Sequence, residues 1–194
     1  MDSNESMVDY LVEMEKIQSP EVEQAFRNVD RKRFMPDDFR DRAYEDRPFS
    51  LAENSTISAP HMVAIDTELL EVKEDSSVVE VGSGSGYQLA ILSELGKEVK
   101  GIELNEELFK SSKEKLSDRE NVDVFHGSGL EPLKENFDRI LFSCAVESIE
   151  PFLEKLKEDG VMVAPVNEEL GTRLKKWKNG TVSNHGFVRF TDFR

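Results

Sequence analysis

Cysteine occurs once in the 194 residues, so no disulfide can form within the chain, and the composition fits a reducing compartment. Basic residues are also scarce. The 25 Lys and Arg against 40 Asp and Glu leave a formal charge of −15. Broad contact with nucleic acid is thereby excluded, because counterion-releasing phosphate contacts need clustered Lys and Arg. Electrostatic attachment to anionic lipid is excluded on the same ground. No stretch approaches the apolar length of a membrane span, and the opening MDSNESMVDY has neither a basic region nor an apolar run. We therefore expect a cytoplasmic protein with no membrane partner. No repeat, low-complexity tract or Gly/Ser linker divides the chain, so residues 1–194 are read as one domain.

What is present falls into two rhythms. The first 75 residues read as short helices. Apolar positions recur helically over Met7–Ile17. Ser19-Pro20 is a helix-start signal leading into Glu21–Val29, and Met62–Leu70 is helical again, entered through Ser58-Ala59-Pro60. The charged, proline-containing stretch Asp30–Pro48 is expected to be irregular. From Ser76 onward, β-branched runs alternate with amphipathic segments. Strands are expected at Val78–Val81, Val99–Glu103, Val122–Phe125, Phe137–Ser143 and Val161–Val166. Helices are expected at Tyr87–Leu95, Asn105–Leu116 and Ile149–Leu156. Short connections between such elements imply parallel strands with right-handed crossovers, hence a doubly wound, mostly parallel α/β sheet. Leu174–Trp177 and Phe187–Phe190, separated by Asn179-Gly180, are expected to finish it as an antiparallel edge hairpin.

Within this pattern the informative segment is Val79-Glu80-Val81-Gly82-Ser83-Gly84-Ser85-Gly86-Tyr87. It closes the first strand of the α/β unit and opens its first helix. Glycines there let the backbone approach a ligand, and the helix start offers free N–H groups. The Gly-x-Gly-x-Gly spacing differs from the dinucleotide fingerprint and lacks the Gly-Lys-Ser/Thr of a phosphate loop. A tight glycine turn preceded by an acid suits S-adenosylmethionine (SAM). Glu103 ends the second strand 21 residues after Gly82, where an acceptor for ribose hydroxyls belongs. Gly127-Ser128-Gly129 follows the third strand and Asp138 opens the fourth. All are expected at or near the carboxyl ends of strands, where open α/β sheets bind ligands.

The preceding segment, Thr56-Ile57-Ser58-Ala59-Pro60-His61-Met62, closely resembles the substrate loop of the protein-L-isoaspartate O-methyltransferase family. The glycine loop through Gln88 is similar to that family's first cofactor motif. Ala25-Phe26, Val29-Asp30-Arg31, Ala43 to Pro48, Phe137 to Ile140 and Val163 to Val166 also fit. The resemblance implies a Rossmann-like methyltransferase sheet, with residues 1–75 forming a helical cap and substrate loop and 76–194 the core. It implies methyl transfer from SAM to the free carboxylate of isoaspartyl residues in damaged proteins, by a monomer. Ser58 takes the position of the active-site serine. Ser55, Thr56, Ile57 and Ser58 line the cofactor pocket, Gly82, Ser83, Gly84, Ser85 and Gly86 wrap the methionine end, Glu103 holds the ribose, and Ser128 and Gly129 lie by the adenine.

Some residues depart from the family. Gly127-Ser128-Gly129 replaces Gly-Asp-Gly, and Ser143 to Glu147 replaces an alanine-rich, proline-containing turn. Asn167 stands where glycine is usual. Glu147 and Asn167 are expected close to the substrate. Two alternatives therefore stay open: a methyltransferase of this scaffold with another substrate, and a silent SAM-binding module. The remaining chemistry-bearing residues have plain readings. Cys144 is a core-lining residue, His61 belongs to a helix start, and no metal ligand set is present. Arg173 to Lys178 is read as a charged edge strand that discourages edge pairing. Glu106 and Lys110 are an i,i+4 pair on a solvated helix.

Overall fold

The computed structural model describes residues 1–130 and 134–193. Its centre is a seven-stranded sheet built from β3 (Ser77–Val81), β4 (Glu98–Glu103), β5 (Val122–His126), β6 (Phe137–Phe142), β7 (Leu156–Glu168), β8 (Gly171–Lys178) and β9 (Thr181–Phe187). The spatial order is β5-β4-β3-β6-β7-β8-β9. The first five strands in that order run parallel, and β8 and β9 are antiparallel. A small antiparallel hairpin, β1 (Phe49–Ala52) with β2 (Ser55–Ile57), precedes the sheet.

Strand β3 shows why the sheet sits where it does. Side chains alternate between faces. Val78 joins a core with Leu89, Ile91, Val99 and Leu141, whereas Val79 and Val81 join another with Ile102, Phe142 and Met162. Both faces are therefore covered, as a Val-rich parallel strand requires. The first face is roofed by α1 (Asn4–Glu13), α2 (Pro20–Asn28), α3 (Pro60–Leu70) and α4 (Tyr87–Ser93); α5 (Glu106–Lys115) packs beside β4 and β5. On the second face Phe142 meets Phe152 at 4.6 Å and Phe193 at 6.4 Å between ring centroids.

Caps set the helix boundaries. Asn105 accepts from the Glu107 and Leu108 N–H groups and starts α5, whose Glu106–Lys110 pair is formed at 2.6 Å. Ser3 and Ser6 form a reciprocal cap that starts α1 at Asn4, three residues earlier than its apolar rhythm predicts. Ser19 precedes α2 as expected, yet its hydroxyl donates to Glu68 Oε2 at 2.6 Å and caps nothing. The irregular stretch after α2 contains two 3₁₀ turns, Arg31–Phe34 and Asp37–Arg42.

Three expectations need correction. The segment expected as a helix over Ile149–Leu156 is a 3₁₀ turn, Glu150–Lys155. Leu156 is already paired with Phe137 in the sheet, which leaves no room for a second turn of helix. The last strand is Thr181–Phe187 rather than Phe187–Phe190, because Asn179 and Gly180, both at positive φ, turn the chain at once. Finally, β8 is not an edge: it pairs with β7 on one side and β9 on the other. Its charges are used internally. Lys175 meets Glu168 at 2.7 Å, and Lys176 and Lys178 both pair with Glu71. Leu174 is buried between them.

Candidate active site

The carboxyl ends of β3, β4, β5 and β6 open into a cleft of about 250 Å³. Its wall is built first by the glycine loop. Gly82, Gly84 and Gly86 all lie at positive φ (83°, 51° and 84°), a conformation that costs other residues about 1–2 kcal/mol each. The N–H groups of Gly82 and Ser83 donate to Ile102 O, which ties the loop to β4. A Cβ at Gly82 would lie 3.3 Å from Cys144 Sγ, so the loop and the segment after β6 are in contact.

Glu103 holds this arrangement from the end of β4. Its Oε2 accepts from the Gly84 N–H and its Oε1 from the Asn105 N–H, each at 2.8 Å. One carboxylate thus connects the glycine loop to the start of α5. It is 8% exposed and lines the cleft. Ser55, Thr56, Gly82, Ser128 and Gly129 line the same cleft. Gly129, again at positive φ, packs on the Phe193 ring.

A second, smaller cavity of about 30 Å³ lies behind the glycine loop and shares Thr56, Gly82 and Ser143 with the main cleft. Ile57, Ser58, Ser83, Gly84 and Ser85 line it. The β1–β2 hairpin reaches over the loop, with Leu51 and the Thr56 carbonyl nearest to Gly84. Ser58 follows β2 and precedes α3, whose N-cap is Ala59 rather than Ser58. Its hydroxyl makes no hydrogen bond among the described residues and is free for a ligand. Behind it, His61 receives Asp46: the carboxylate accepts the His61 N–H at 2.9 Å and faces Nδ1 at 2.8 Å. That clamp fixes the first turn of α3, as the helix-start reading of His61 anticipates.

Eleven of the twelve candidate residues thus line one or other of two adjoining cavities. Gly86 does not. It begins α4 and faces Ser112 and Leu116 of α5, where a Cβ would come within 2.9 Å of Leu116 Cδ1. Asp138 is also elsewhere. As the second residue of β6 it lies at the amino end of a parallel strand, opposite the cleft. There it accepts from the Ser77 N–H and hydroxyl and meets Lys157 at 2.9 Å. Burial would raise its pKa, but Lys157 and the Ser77 donors prevail and hold it at about 2.

Other residues at the site had not been anticipated. Thr191, Asp192 and Phe193 line the cleft because the tail returns beside Ala145: the Ala145 N–H donates to Thr191 O and the Phe193 N–H to Ala145 O, both at 2.7 Å. The departures Glu147 and Asn167 meet each other. Asn167 Nδ2 donates to Glu147 Oε1 at 2.9 Å and to Asp192 Oδ1 at 3.2 Å, which fastens the tail to the end of β7. Glu80 is the acid before the glycines. Burial pushes it up to about 8 against the opposing hydrogen bond from Ser143, with Asp66 and Glu103 adding to the rise. Burial likewise pushes the Cys144 thiol up to about 12, helped by Glu103 and Glu80, so it is a wall and not a nucleophile.

Known proteins resemble the chain over most of its length. Residues 2–190 match the family model described as protein-L-isoaspartate(D-aspartate) O-methyltransferase. A protein-L-isoaspartate O-methyltransferase of Dictyoglomus turgidum is 39% identical over 198 aligned positions, covering 97% of this chain and 90% of the relative. One from Opitutus terrae is 40% identical, covering 87% of this chain and 77% of its own. In fold, the chain is similar to the crystal structure of a Plasmodium falciparum protein assigned to the same activity, in complex with S-adenosyl-L-homocysteine. The TM-score there is 0.88 at 24% identity, with 100% of this chain and 99% of the other covered. With Ser58 beside the glycine loop, and with a family match over nearly its whole length, this chain belongs to the protein-L-isoaspartate (D-aspartate) O-methyltransferase family.

Proposed function

We infer that the chain is a protein-repair enzyme: it transfers a methyl group from S-adenosyl-L-methionine to the free carboxylate of L-isoaspartyl residues in damaged proteins. The observation that carries this reading is the unpartnered Ser58 hydroxyl in the same cavity as Ser83 and Ser85 of the glycine loop. A group able to orient an acceptor therefore stands at the inner end of a nucleoside-sized cleft.

The residues present suit the cofactor. The cleft is acidic, and a sulfonium with an ammonium is cationic on balance. Glu80 lines the inner cavity, and its Oε2 has no partner among the described residues. Gly82 and Gly84 present no Cβ to the space. Ser55, Thr56, Gly82, Glu103, Ser128 and Gly129 would hold the nucleoside along the main cleft, and Ile57, Ser58, Ser83, Gly84 and Ser85 the methionine end. Gly86 serves the loop through packing.

When bound, the cofactor supplies a methyl group on a sulfonium, whose departure needs no acid. The acceptor carboxylate, with an ordinary pKa near 4, is already ionised at pH 7 and needs no general base. The protein's part is therefore alignment and exclusion of water. Ser58 donates a hydrogen bond to the acceptor, and the β1–β2 hairpin covers the inner cavity. The Asp46–His61 clamp holds the helix that follows Ser58. We further propose a cytoplasmic monomer that uses neither nucleic acid nor membrane. The −15 charge supports this, and among the described residues no helix is long and apolar enough to cross a membrane.

The direct test supplies methyl-labelled SAM with an isoaspartyl peptide and its aspartyl twin. Base-labile label on the isoaspartyl peptide alone is the expected result. Cofactor binding without that transfer refutes the repair reading in favour of another substrate or of a silent module.

A further inference from the structure

Two buried carboxyls have no assigned role in methyl alignment. Glu80 lies on the Val78 face of β3 by the two-residue period of the strand, beneath the roof of α3 and α4. It is 1% exposed; Oε1 accepts from Ser143 Oγ at 2.6 Å, and Oε2 is buried without a partner. Asp66, on the inner side of α3, is 2% exposed, and its Oδ1 is likewise buried and unpartnered. The two carboxyls are near enough to repel when charged.

No cation meets them among the described residues. The groups facing Glu80 are Asp66 from α3, Glu103 from β4, and the Cys144 thiol after β6. The glycine loop adds the Ser83 hydroxyl, itself unpartnered, and Gln88 of α4 donates its amide to Thr67 instead. Arg31 is buried, but its guanidinium lies over the Tyr87 ring and donates to Ala43 O. Lys176 and Lys178 are held by Glu71, beyond the far end of α3. Ionised, the two carboxylates would lose hydration with no cation in return and only the Ser143 hydroxyl to meet Glu80, so the neutral forms prevail near pH 7. The titration of Glu80 at about 8, and of Asp66 well above its ordinary range through burial, agrees with this.

Glu80, unlike Asp66, also lines the inner cavity, next to Ser58 and Ser83. We propose that cofactor binding is coupled to release of one proton from this carboxyl pair: Glu80 ionises to meet the ammonium of the cofactor's amino-acid end, and Asp66 keeps its proton. The O–H bond of Glu80 breaks, its proton passes to solvent, and the unpartnered Oε2 gains a charge-assisted hydrogen bond. Because a proton leaves, cofactor and product bind more tightly as pH rises toward 8, by up to about tenfold per pH unit. At higher pH the ligand's own α-amino group begins to lose its charge and the trend reverses.

This inference rests on the cofactor placement given above. The test is calorimetric titration of S-adenosyl-L-homocysteine at pH 6.5 in buffers of different ionisation heat. At that pH the ligand amine is already protonated, so the buffer dependence counts protons lost by the protein. Wild-type protein is expected to release about one proton per ligand, Glu80→Gln to lose that release and bind at least tenfold more weakly, and Asp66→Asn to retain it. Wild-type binding with no more proton release than Glu80→Gln overturns the coupling while leaving the cofactor site standing. Release kept in Glu80→Gln and lost in Asp66→Asn overturns the assignment to Glu80. No binding heat at all, with no ligand-induced rise in Tm, refutes the cofactor placement and the coupling together.

Discussion

Replacing Ser58 by alanine separates the alignment role from cofactor binding and from folding. The hydroxyl makes no hydrogen bond among the described residues and is half-buried, so its removal breaks no internal contact. A surface-like change of this kind stays within about 0.5 kcal/mol, or roughly 1–2 °C in Tm for a chain of this size. In the reaction the same hydroxyl donates to a carboxylate, a charged hydrogen bond of about 1.5–3 kcal/mol. At 1.36 kcal/mol per decade, loss of that bond lowers kcat/KM by roughly 10- to 150-fold. The cofactor keeps its contacts with the glycine loop and Glu103, so affinity for S-adenosyl-L-homocysteine changes by less than about threefold. The assay is initial-rate methyl transfer to an isoaspartyl peptide at saturating SAM, with calorimetry and thermal unfolding on the same preparation. Equal losses in turnover and cofactor affinity would refute the reasoning, since Ser58 would then act only through its place at the methionine end of the cofactor. So would a fall in Tm beyond about 5 °C, which would make the hydroxyl structural.

Other expectations concern the frame around the site. Gly86→Ala forces a Cβ to 2.9 Å from Leu116 Cδ1 at a backbone φ of 84°. Left-handed strain of about 1–2 kcal/mol and overpacking of about 1–3 kcal/mol together lower Tm by roughly 5–15 °C. Turnover of the folded enzyme should hold, because Gly86 lines neither cavity; an unchanged Tm would show that Leu116 yields freely. Asp138, held at about 2, contributes stability that is present above its ordinary pKa of 3.8 and is lost as pH falls through about 2. Urea unfolding of Asp138→Asn should therefore show a deficit at pH 7 that closes between pH 4 and 2. A deficit independent of pH would remove the ion pair with Lys157 from the explanation.

Local chemistry made much of this protein legible from its residues. The valine runs of β3 and β7 require burial on both faces, and the glycines at the end of β3 require a turn that other residues resist. Asn105 caps α5 through its own side chain, and Asn179-Gly180 turns the last hairpin. These features depend on neighbours in sequence. The position of Asp138 was legible too, since a residue that opens a parallel strand lies at the end away from the ligand.

Tertiary structure alone decided which distant groups meet. Nothing near Phe193 in sequence says that its ring will cover Gly129, or that Asn167 will bridge Glu147 and Asp192. Arg173 to Lys178 looks like an edge in isolation, yet Glu71 and Glu168 absorb its charges and β9 takes the edge. Asp66 reads as an ordinary acid and Glu80 as the acid before the glycines, 14 positions apart, with nothing local to join them. Packing α3 onto the face of β3 buries both without a counter-charge, and burial is set by the whole molecule. The sequence by itself therefore determined the sheet, the glycine turn and the family loop around Ser58. The closure of the cleft and the protonation of the acids behind it were decided by packing, because desolvation and long-range contact have no local signature in the chain.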